Sequence, residues 1–500
     1  MPGIWPFSFV FAAPLLVAIE KQATKEQFLL GWWAGIIGIG GSHYFIAETL
    51  TLLAKLPWIA AIPAFIAYTA WIGLQIAFFS VGMGWLRRTK SALWLVSGPL
   101  WFTFVERTHP VVFRSLTSNT LWEVPILVQS LEWWGSSGLT ACLIFVSCCL
   151  AHAFTQYRER VSEHPWRPLI YAATLWCGLF VFGHFRMQAI DDVTAEEHLR
   201  VSLVQPNVTV EEKRYEHGQV RIDVYKRTMA LTRDAMKNNP DLIVWPEGAL
   251  PITYDPQVLK HSGAQSKTPS IRTRLTRSVH KFAKAIRTPL VFGSLRLHEG
   301  RKRNAALYID PKRTDTKYYD KHKLVLLAER LPLADLFPAL TSYVPGAAHH
   351  EPGDEFTTFW VKDTPWIPSM CSDALFPRFT SESLSRVQDD RAVLLNLTND
   401  VWFGNTSEPT VHLMMQSPRA VENRSWLVRS TNSGITAIFD PNGVIRARTE
   451  PFETATLTYD LPIVSHAPTP YQRYGEWPLL MLGTLLLLLT IRQQQQRGHT

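Results

Sequence analysis

The sequence predicts a multi-pass α-helical membrane domain joined to an α/β domain whose sheets are covered by helices. Three observations lead there. Apolar runs crowd residues 1–186 and return at 477–491, short β-branched runs alternate with helical stretches across 187–476, and basic residues gather in alternate loops between the apolar runs. The 500 residues are 47% hydrophobic, with 19 tryptophans and only 18% charged residues, a balance unusual for a soluble enzyme. The net charge of +8 comes from scattered basic residues with no zinc or recognition-helix motif, so nucleic acid is not the expected partner.

Candidate spans near 4–19, 28–47, 58–85, 92–106, 136–155 and 168–185 give about six transmembrane helices in a membrane domain over 1–186. A further span at 477–491 lies in a C-terminal segment, 477–500, that ends in a cytoplasmic tail. Several spans fall short of the ~20 residues a bilayer needs and 58–85 exceeds it, so tilt and interfacial ends absorb the mismatch. If the spans alternate, Lys21, Lys25, Arg87, Arg88, Lys90, Arg158, Arg160, Arg167, Arg492 and Arg497 fall on one side. The positive-inside rule makes that side the cytoplasm. The N-terminus and 187–476 then face outward, as expected of a bacterial inner-membrane protein with a periplasmic domain. The aromatic stretch 107–135 reads as a periplasmic or partly re-entrant loop. No basic stretch precedes residues 4–19 and no small-residue cleavage site follows, so this segment reads as a retained helix.

Within 187–476, Val201–Gln205, Leu242–Trp245, Leu290–Ser294, Ala305–Ile309, the run into Cys371, and Val393–Leu397 read as strands. Glu211–Asn238 reads as a polar helix and 268–286 as a basic amphipathic one. The pair Ile435–Phe439 and Val444–Arg448, flanking Asp440-Pro441-Asn442-Gly443, carries a hairpin signal. Alternation of this kind implies sheets covered by helices, and roughly 280 residues suffice for one large core.

Three strand ends deliver polar side chains. Glu247 follows a buried strand and Pro246, where partial desolvation raises a carboxyl pKa and suits a general base, although a surface glutamate in a turn is the plainer reading. Lys321, in Tyr318-Tyr319-Asp320-Lys321-His322-Lys323, has the charge to stabilise an oxyanion or a thiolate, or belongs to a solvated basic turn. Cys371 ends an apolar run, with Asp373 two residues on. The other four cysteines, Cys142, Cys148, Cys149 and Cys177, lie in the apolar helices, so Cys371 has no internal disulfide partner in the polar domain. A lone thiol is commonly a small buried hydrophobe.

Glu, Lys and Cys in this order, each after a strand, resemble the catalytic set of the nitrilase (carbon–nitrogen hydrolase) superfamily, built on an αββα sandwich. With membrane spans on both sides, the chain resembles the apolipoprotein N-acyltransferase family. The resemblance runs from Ile4-Trp5-Pro6 through Val204-Gln205-Pro206-Asn207, Trp245-Pro246-Glu247 and Tyr319–Val325 to Asn396–Gly404, His412, Arg419–Glu422, Arg429–Ala437 and Gly475–Pro478. It implies Cys371 as nucleophile, Glu247 as general base and Lys321 as oxyanion stabiliser. Glu329, Asp373, Asn399 and Trp402 are implied as supporting residues. The implied reaction moves a fatty acyl chain from a phospholipid, through a Cys371 thioester, to the α-amine of a diacylglyceryl-cysteine lipoprotein. No metal or diffusible cofactor is implied.

The family usually has Cys-Tyr-Glu where this chain has Cys371-Ser372-Asp373, and Val-Pro-Phe-Gly-Glu where it has Val325-Leu326-Leu327-Ala328-Glu329. It also has eight spans where seven are legible, so the first is expected upstream of this start, or the protein begins outside. Two other readings stay open: a nitrilase-like membrane protein of a plasmid conjugal transfer system, and a membrane-tethered carbon–nitrogen hydrolase that uses water as acceptor.

Overall fold

In the computed structural model, alternation along the strands sets the layers of the α/β part. The structure describes residues 4–88, 92–214, 218–260, 269–313, 315–326, 328–331, 337 and 349–498. The first sheet runs β13 (Ala455–Ile463), β1 (Glu197–Gln205), β2 (Leu242–Val244), β4 (Leu290–His298), β5 (Arg301–Ile309), β6 (Thr316–Asp320), with β3 (Thr253–Tyr254) paired beside β4. The second runs β12 (Ile445–Arg448), β11 (Ala437–Phe439), β10 (Leu427–Thr431), β9 (Val393–Thr398), β8 (Thr364–Met370), β7 (Phe359–Val361).

Side chains two apart share a face. Leu199, Val201 and Leu203 of β1 meet Val393, Leu395 and Leu397 of β9 in one core between the sheets. The opposite face of the first sheet, including Ile243, Trp245 and Phe292, packs on helices Gly218–Ala235 and Ile271–Ile286 through Tyr225, Leu275, Val279 and Phe282. Leu394, Leu427 and Phe439 of the second sheet face Leu384, Leu413 and Ala420 of its covering helices. The order is helix, sheet, sheet, helix, the expected sandwich. Strands β10 and β13, which the hydrophobic pattern did not single out, complete the sheets: β13 pairs along all of β1, and β10 sits between β9 and β11.

The expected helix over 211–238 is helical over Val210–Arg214 and Gly218–Ala235 and closes in a 3-10 turn, Met236–Asn238. The basic helix begins at Ile271, where the Ser270 hydroxyl accepts from the Thr273 N–H.

In the N-terminal part, the segment over 4–19 is not one helix. It divides into a 3-10 turn, Trp5–Phe9, and a short helix, Ala13–Ala18, because Pro14 has no N–H with which to continue the preceding ladder. The span expected over 28–47 is helical over Thr24–Ser42 and breaks at His43, after the weak helix formers Gly40, Gly41 and Ser42; Phe45–Leu52 is a separate helix. Thr24–Ser42 lies against Trp58–Arg87 at glycines. A Cβ on Gly35 would stand 2.7 Å from the Gly73 Cα, the close backbone approach that small residues permit between apolar helices. Among the described residues, Trp58–Arg87, Leu131–Glu159 and Arg167–Asp191 are long and apolar enough to cross a membrane, and Trp477–Gln493 is shorter but apolar. The stretch 107–135 is ordered into a 3-10 turn, Thr117–Leu121, and a short helix, Pro125–Val128, with Leu116, Leu121 and Val128 buried.

Buried and partly buried polar contacts join the two parts. The Arg424 guanidinium donates to Glu132 Oε2 at 2.7 Å and to Gln129 Oε1 at 2.6 Å. Ser136 donates through N and Oγ to Glu422, and Arg107 pairs with Glu476 at 2.8 Å.

Candidate active site

Backbone bonds that prolong the strand hold Glu247 and Lys321, and side-chain amides hold the Cys371 carbonyl. Beyond β2, the Trp245 N–H donates to the Val291 carbonyl at 2.8 Å and the Gly293 N–H to Pro246 O at 3.1 Å. Fully buried Trp245 also donates its indole N–H to Thr232. Gly248 turns the chain with φ +67°, leaving Glu247 nearly buried at the sheet edge. Beyond β6, the Lys321 N–H donates to the Asn304 carbonyl at 2.8 Å. Beyond β8, Cys371 has φ +43°, a left-handed conformation that costs a non-glycine residue about 1–3 kcal/mol. Its carbonyl accepts from Asn396 Nδ2 and Gln416 Nε2.

The structure brings Glu247, Lys321 and Glu329 into one buried cluster. Lys321 is 1% exposed; its Nζ lies 2.7 Å from Glu329 Oε2 and 3.7 Å from Glu247 Oε1. Asn304 Nδ2 donates to both carboxylates, at 2.6 Å to Glu247 and 2.9 Å to Glu329. Glu329 also accepts the Val325 N–H at 3.0 Å.

Burial raises the Glu247 pKa above the usual glutamate value, against the opposing pull of Lys321. For Lys321, burial favours the neutral amine, but the facing Cys371, Glu329 and Glu247 outweigh it and hold the ammonium well above the usual lysine range. Burial pushes the Cys371 thiol up, and Lys321 only partly offsets this. The resting group is therefore a thiol beside a carboxylate with raised proton affinity. Such a pair suits deprotonation in step with attack rather than a preformed thiolate.

Asp373 is fully buried and takes four donors: the Tyr319 hydroxyl at 2.7 Å and the backbone N–H groups of Met370, His322 and Lys323. With both oxygens satisfied, it clamps the Cys371 turn to the Lys321 loop and is a positioning residue. Ser372 adds a second tie, donating to the Lys323 carbonyl at 2.5 Å. Asn399 accepts from Asn432 Nδ2 and the Val401 N–H, which orders its own loop; no described contact joins it to Cys371. Trp402 stands partly exposed, with Lys213 Nζ 5.7 Å from its ring centroid.

Sequence reasoning did not reach Asn304, Gln416 or Gly293. An amide beside the Ala305–Ile309 run was the available signal for the first. Gly293 carries no Cβ because one would stand 2.5 Å from the Glu247 Cα and 2.6 Å from Pro246 O. Gly293→Ala is thus expected to push the Glu247 turn outward. The expected result is a fall in turnover of at least about tenfold with the fold retained, measured by steady-state kinetics beside thermal unfolding. An unchanged rate would separate the close packing at Gly293 from Glu247 placement.

Asp400, Glu408 and His412 offer ligand atoms within 4.8 Å of one another. The Arg429 guanidinium already occupies the cation position there, 2.8 Å from Asp400 Oδ2, and His412 Nδ1 is 2.8 Å from Oδ1. The cluster is a buried ion-pair network. It extends through His412 Nε2 and Gln416 to the Cys371 carbonyl.

The carbon–nitrogen hydrolase family model matches residues 200–471, more than half of the chain and all of these strand ends. The chain belongs to the carbon–nitrogen hydrolase family. To that family domain it adds the helical part, where the model of the apolipoprotein N-acyltransferase N-terminal domain matches residues 1–149. Over both, the chain is similar to the apolipoprotein N-acyltransferase of Geobacter metallireducens, 26% identical over 509 residues, with 99% of this chain and 92% of the relative covered. It is likewise similar to that of Bdellovibrio bacteriovorus, 28% identical over 510 residues, with 96% and 90% covered. Among solved structures, an amidase from Nesterenkonia sp. aligns with a TM-score of 0.39 at 19% identity, covering 58% of this chain and 98% of the amidase.

Proposed function

We propose that this protein is an apolipoprotein N-acyltransferase with Glu247, Lys321 and Cys371 as its catalytic triad. The observation that carries the reading is the buried Glu247–Lys321–Glu329 cluster beside Cys371, in a chain similar along almost its whole length to proteins of that name. Glu247 takes the thiol proton as Cys371 Sγ attacks the ester carbonyl of a phospholipid. Lys321 faces the oxyanion. The tetrahedral adduct collapses to a thioester, and the lysophospholipid alkoxide leaves with the proton from Glu247. The α-amine of a diacylglyceryl-cysteine then attacks the thioester, Glu247 accepts its proton, and the amide departs as that proton returns to Sγ.

The helical part spans the bacterial inner membrane, with the α/β domain on the periplasmic side. Supporting this, Lys21 pairs with Glu159, Arg88 donates to Thr24 and Arg87 to the Leu16 carbonyl, so cations from separate loops gather at one end of the bundle. An apolar cavity of about 600 Å³, lined by Phe78, Trp101, Phe104, Leu480 and Leu487 among others, opens between the helices and suits contact with lipid chains. Both substrates are lipid-anchored, which accounts for a membrane part on a hydrolase-type domain.

The test is intact-mass detection of an acyl adduct on Cys371 after incubation with phospholipid, and its loss on adding a diacylglyceryl-cysteine peptide with gain of that acyl mass by the peptide. Release of the free fatty acid to water at the same rate without the peptide would favour the hydrolase reading.

The acid limb of the rate is set by Glu247, whose ionised form is the base. Because burial raises its pKa, acylation is expected to fall on acidification at a pH above the usual glutamate range, by about tenfold per pH unit. Glu247→Gln should flatten that limb at a low residual rate. A wild-type profile level down to the ordinary carboxylate range would contradict the assignment of Glu247 as base.

A further inference from the structure

Lys321 is buried against Glu329 and Glu247 and faces Cys371, so its charge serves the reacting carbonyl. A second ammonium lies close to Glu247. Lys213, from the short helix Val210–Arg214, brings Nζ within 3.5 Å of where a Cβ on Gly248 would stand, and over the Trp402 ring at 5.7 Å. It is partly exposed, and among the described residues no carboxylate lies within ion-pairing distance of it. Burial lowers its pKa to about 8, with Glu247 opposing, so the ammonium is retained at neutral pH.

We infer that Lys213, set on the face of Trp402, is the subsite for the phosphodiester of the acyl donor. This rests on the acyl-transfer reading. A glycerophospholipid places its reacting ester and its phosphate on one glycerol unit. A cation one side chain away from the triad therefore meets the phosphate when the ester carbonyl is at Cys371. Lys213 acts on the donor as a point charge with up to three donor hydrogens, and the Trp402 ring fixes the direction in which it points. An acyl donor without phosphate gains nothing from it.

The experiment measures Cys371 acylation in detergent micelles with two donors, dioleoyl phosphatidylglycerol and p-nitrophenyl palmitate, the second having no phosphate. At a pH above the Glu247 limb of both proteins, K213M is expected to raise KM for phosphatidylglycerol by about tenfold or more, with kcat little changed, and to leave the rate with the p-nitrophenyl ester unchanged. K213R should restore most of the phosphatidylglycerol affinity. Equal slowing of both donors would make Lys213 an electrostatic support for Glu247 and overturn the subsite, as would no effect on either. Inhibition of wild type by millimolar inorganic phosphate, lost in K213M, would assign the position to a free anion and overturn the lipid assignment. If wild type forms no acyl-enzyme from either donor, the acyl-transfer reading falls and takes this inference with it.

Discussion

Cys371→Ala is expected to abolish the acyl adduct and to lower transfer to a diacylglyceryl-cysteine peptide by roughly a thousandfold or more, the scale at which nucleophile removal leaves only binding and electrostatic contributions. Cys371→Ser should fall nearly as far. Burial raises the proton affinity of Glu247, but a serine hydroxyl is a far weaker acid than a thiol and gives up its proton to the same carboxylate much less readily. Unfolding is not expected to account for the loss. The Cys371 turn is held by Asp373, Ser372, Asn396 and Gln416 through groups that the substitution leaves in place. Thermal unfolding close to that of wild type, together with an adduct-free intact mass, is the expected pair of readings. An adduct that persists on Cys371→Ala would move the nucleophile elsewhere and remove the basis of the proposed mechanism.

The parts of the site that were legible share one property: each is announced by its local chain. Glu247 and Cys371 sit where an apolar strand run stops and Lys321 follows the polar and aromatic strand β6, and β2, β6 and β8 bring the three together. Sheets covered by helices were legible from the alternation of strand and helix patterns, and the αββα order was implied by the family resemblance; along β1, Leu199, Val201 and Leu203 do face the inner core. What stayed hidden depends on pairing across the sheets. Asn304 matters because the antiparallel register of β4, β5 and β6 sets it between the ends of β2 and β6, and no sequence window contains that register. Asp373 was legible as an acid beside the cysteine, but its anchoring role requires Tyr319, 54 positions earlier, to reach it. The N-terminal helix boundaries failed at Pro14 and after Gly40-Gly41, where backbone chemistry overrides continuous hydrophobicity.

The same blindness to distance conceals what locks the helices to the catalytic domain, and Arg424→Met is expected to expose it. Arg424 and Glu132 are 292 positions apart, yet both are buried and the guanidinium also donates to Gln129, to Pro441 O and to the Gln129 carbonyl. Methionine fills much of the volume but leaves these acceptors in a dry interface, and truncating one partner of a buried pair costs about 3–5 kcal/mol. The lower end applies here, because Arg186 still donates to both oxygens of Glu132 at 2.9 and 3.0 Å. A lowered Tm in micelles and faster proteolysis near the junction are the expected readings. Adding Glu132→Gln should recover part of the loss, since the orphaned charge goes with it. The functional consequence follows from where the pair lies. If the bundle delivers lipid to the site, loosening this joint should slow acylation by vesicle phospholipid more than acylation by a micellar p-nitrophenyl ester. Equal slowing of both would mean that the contact stabilises the fold without coupling the membrane part to Cys371.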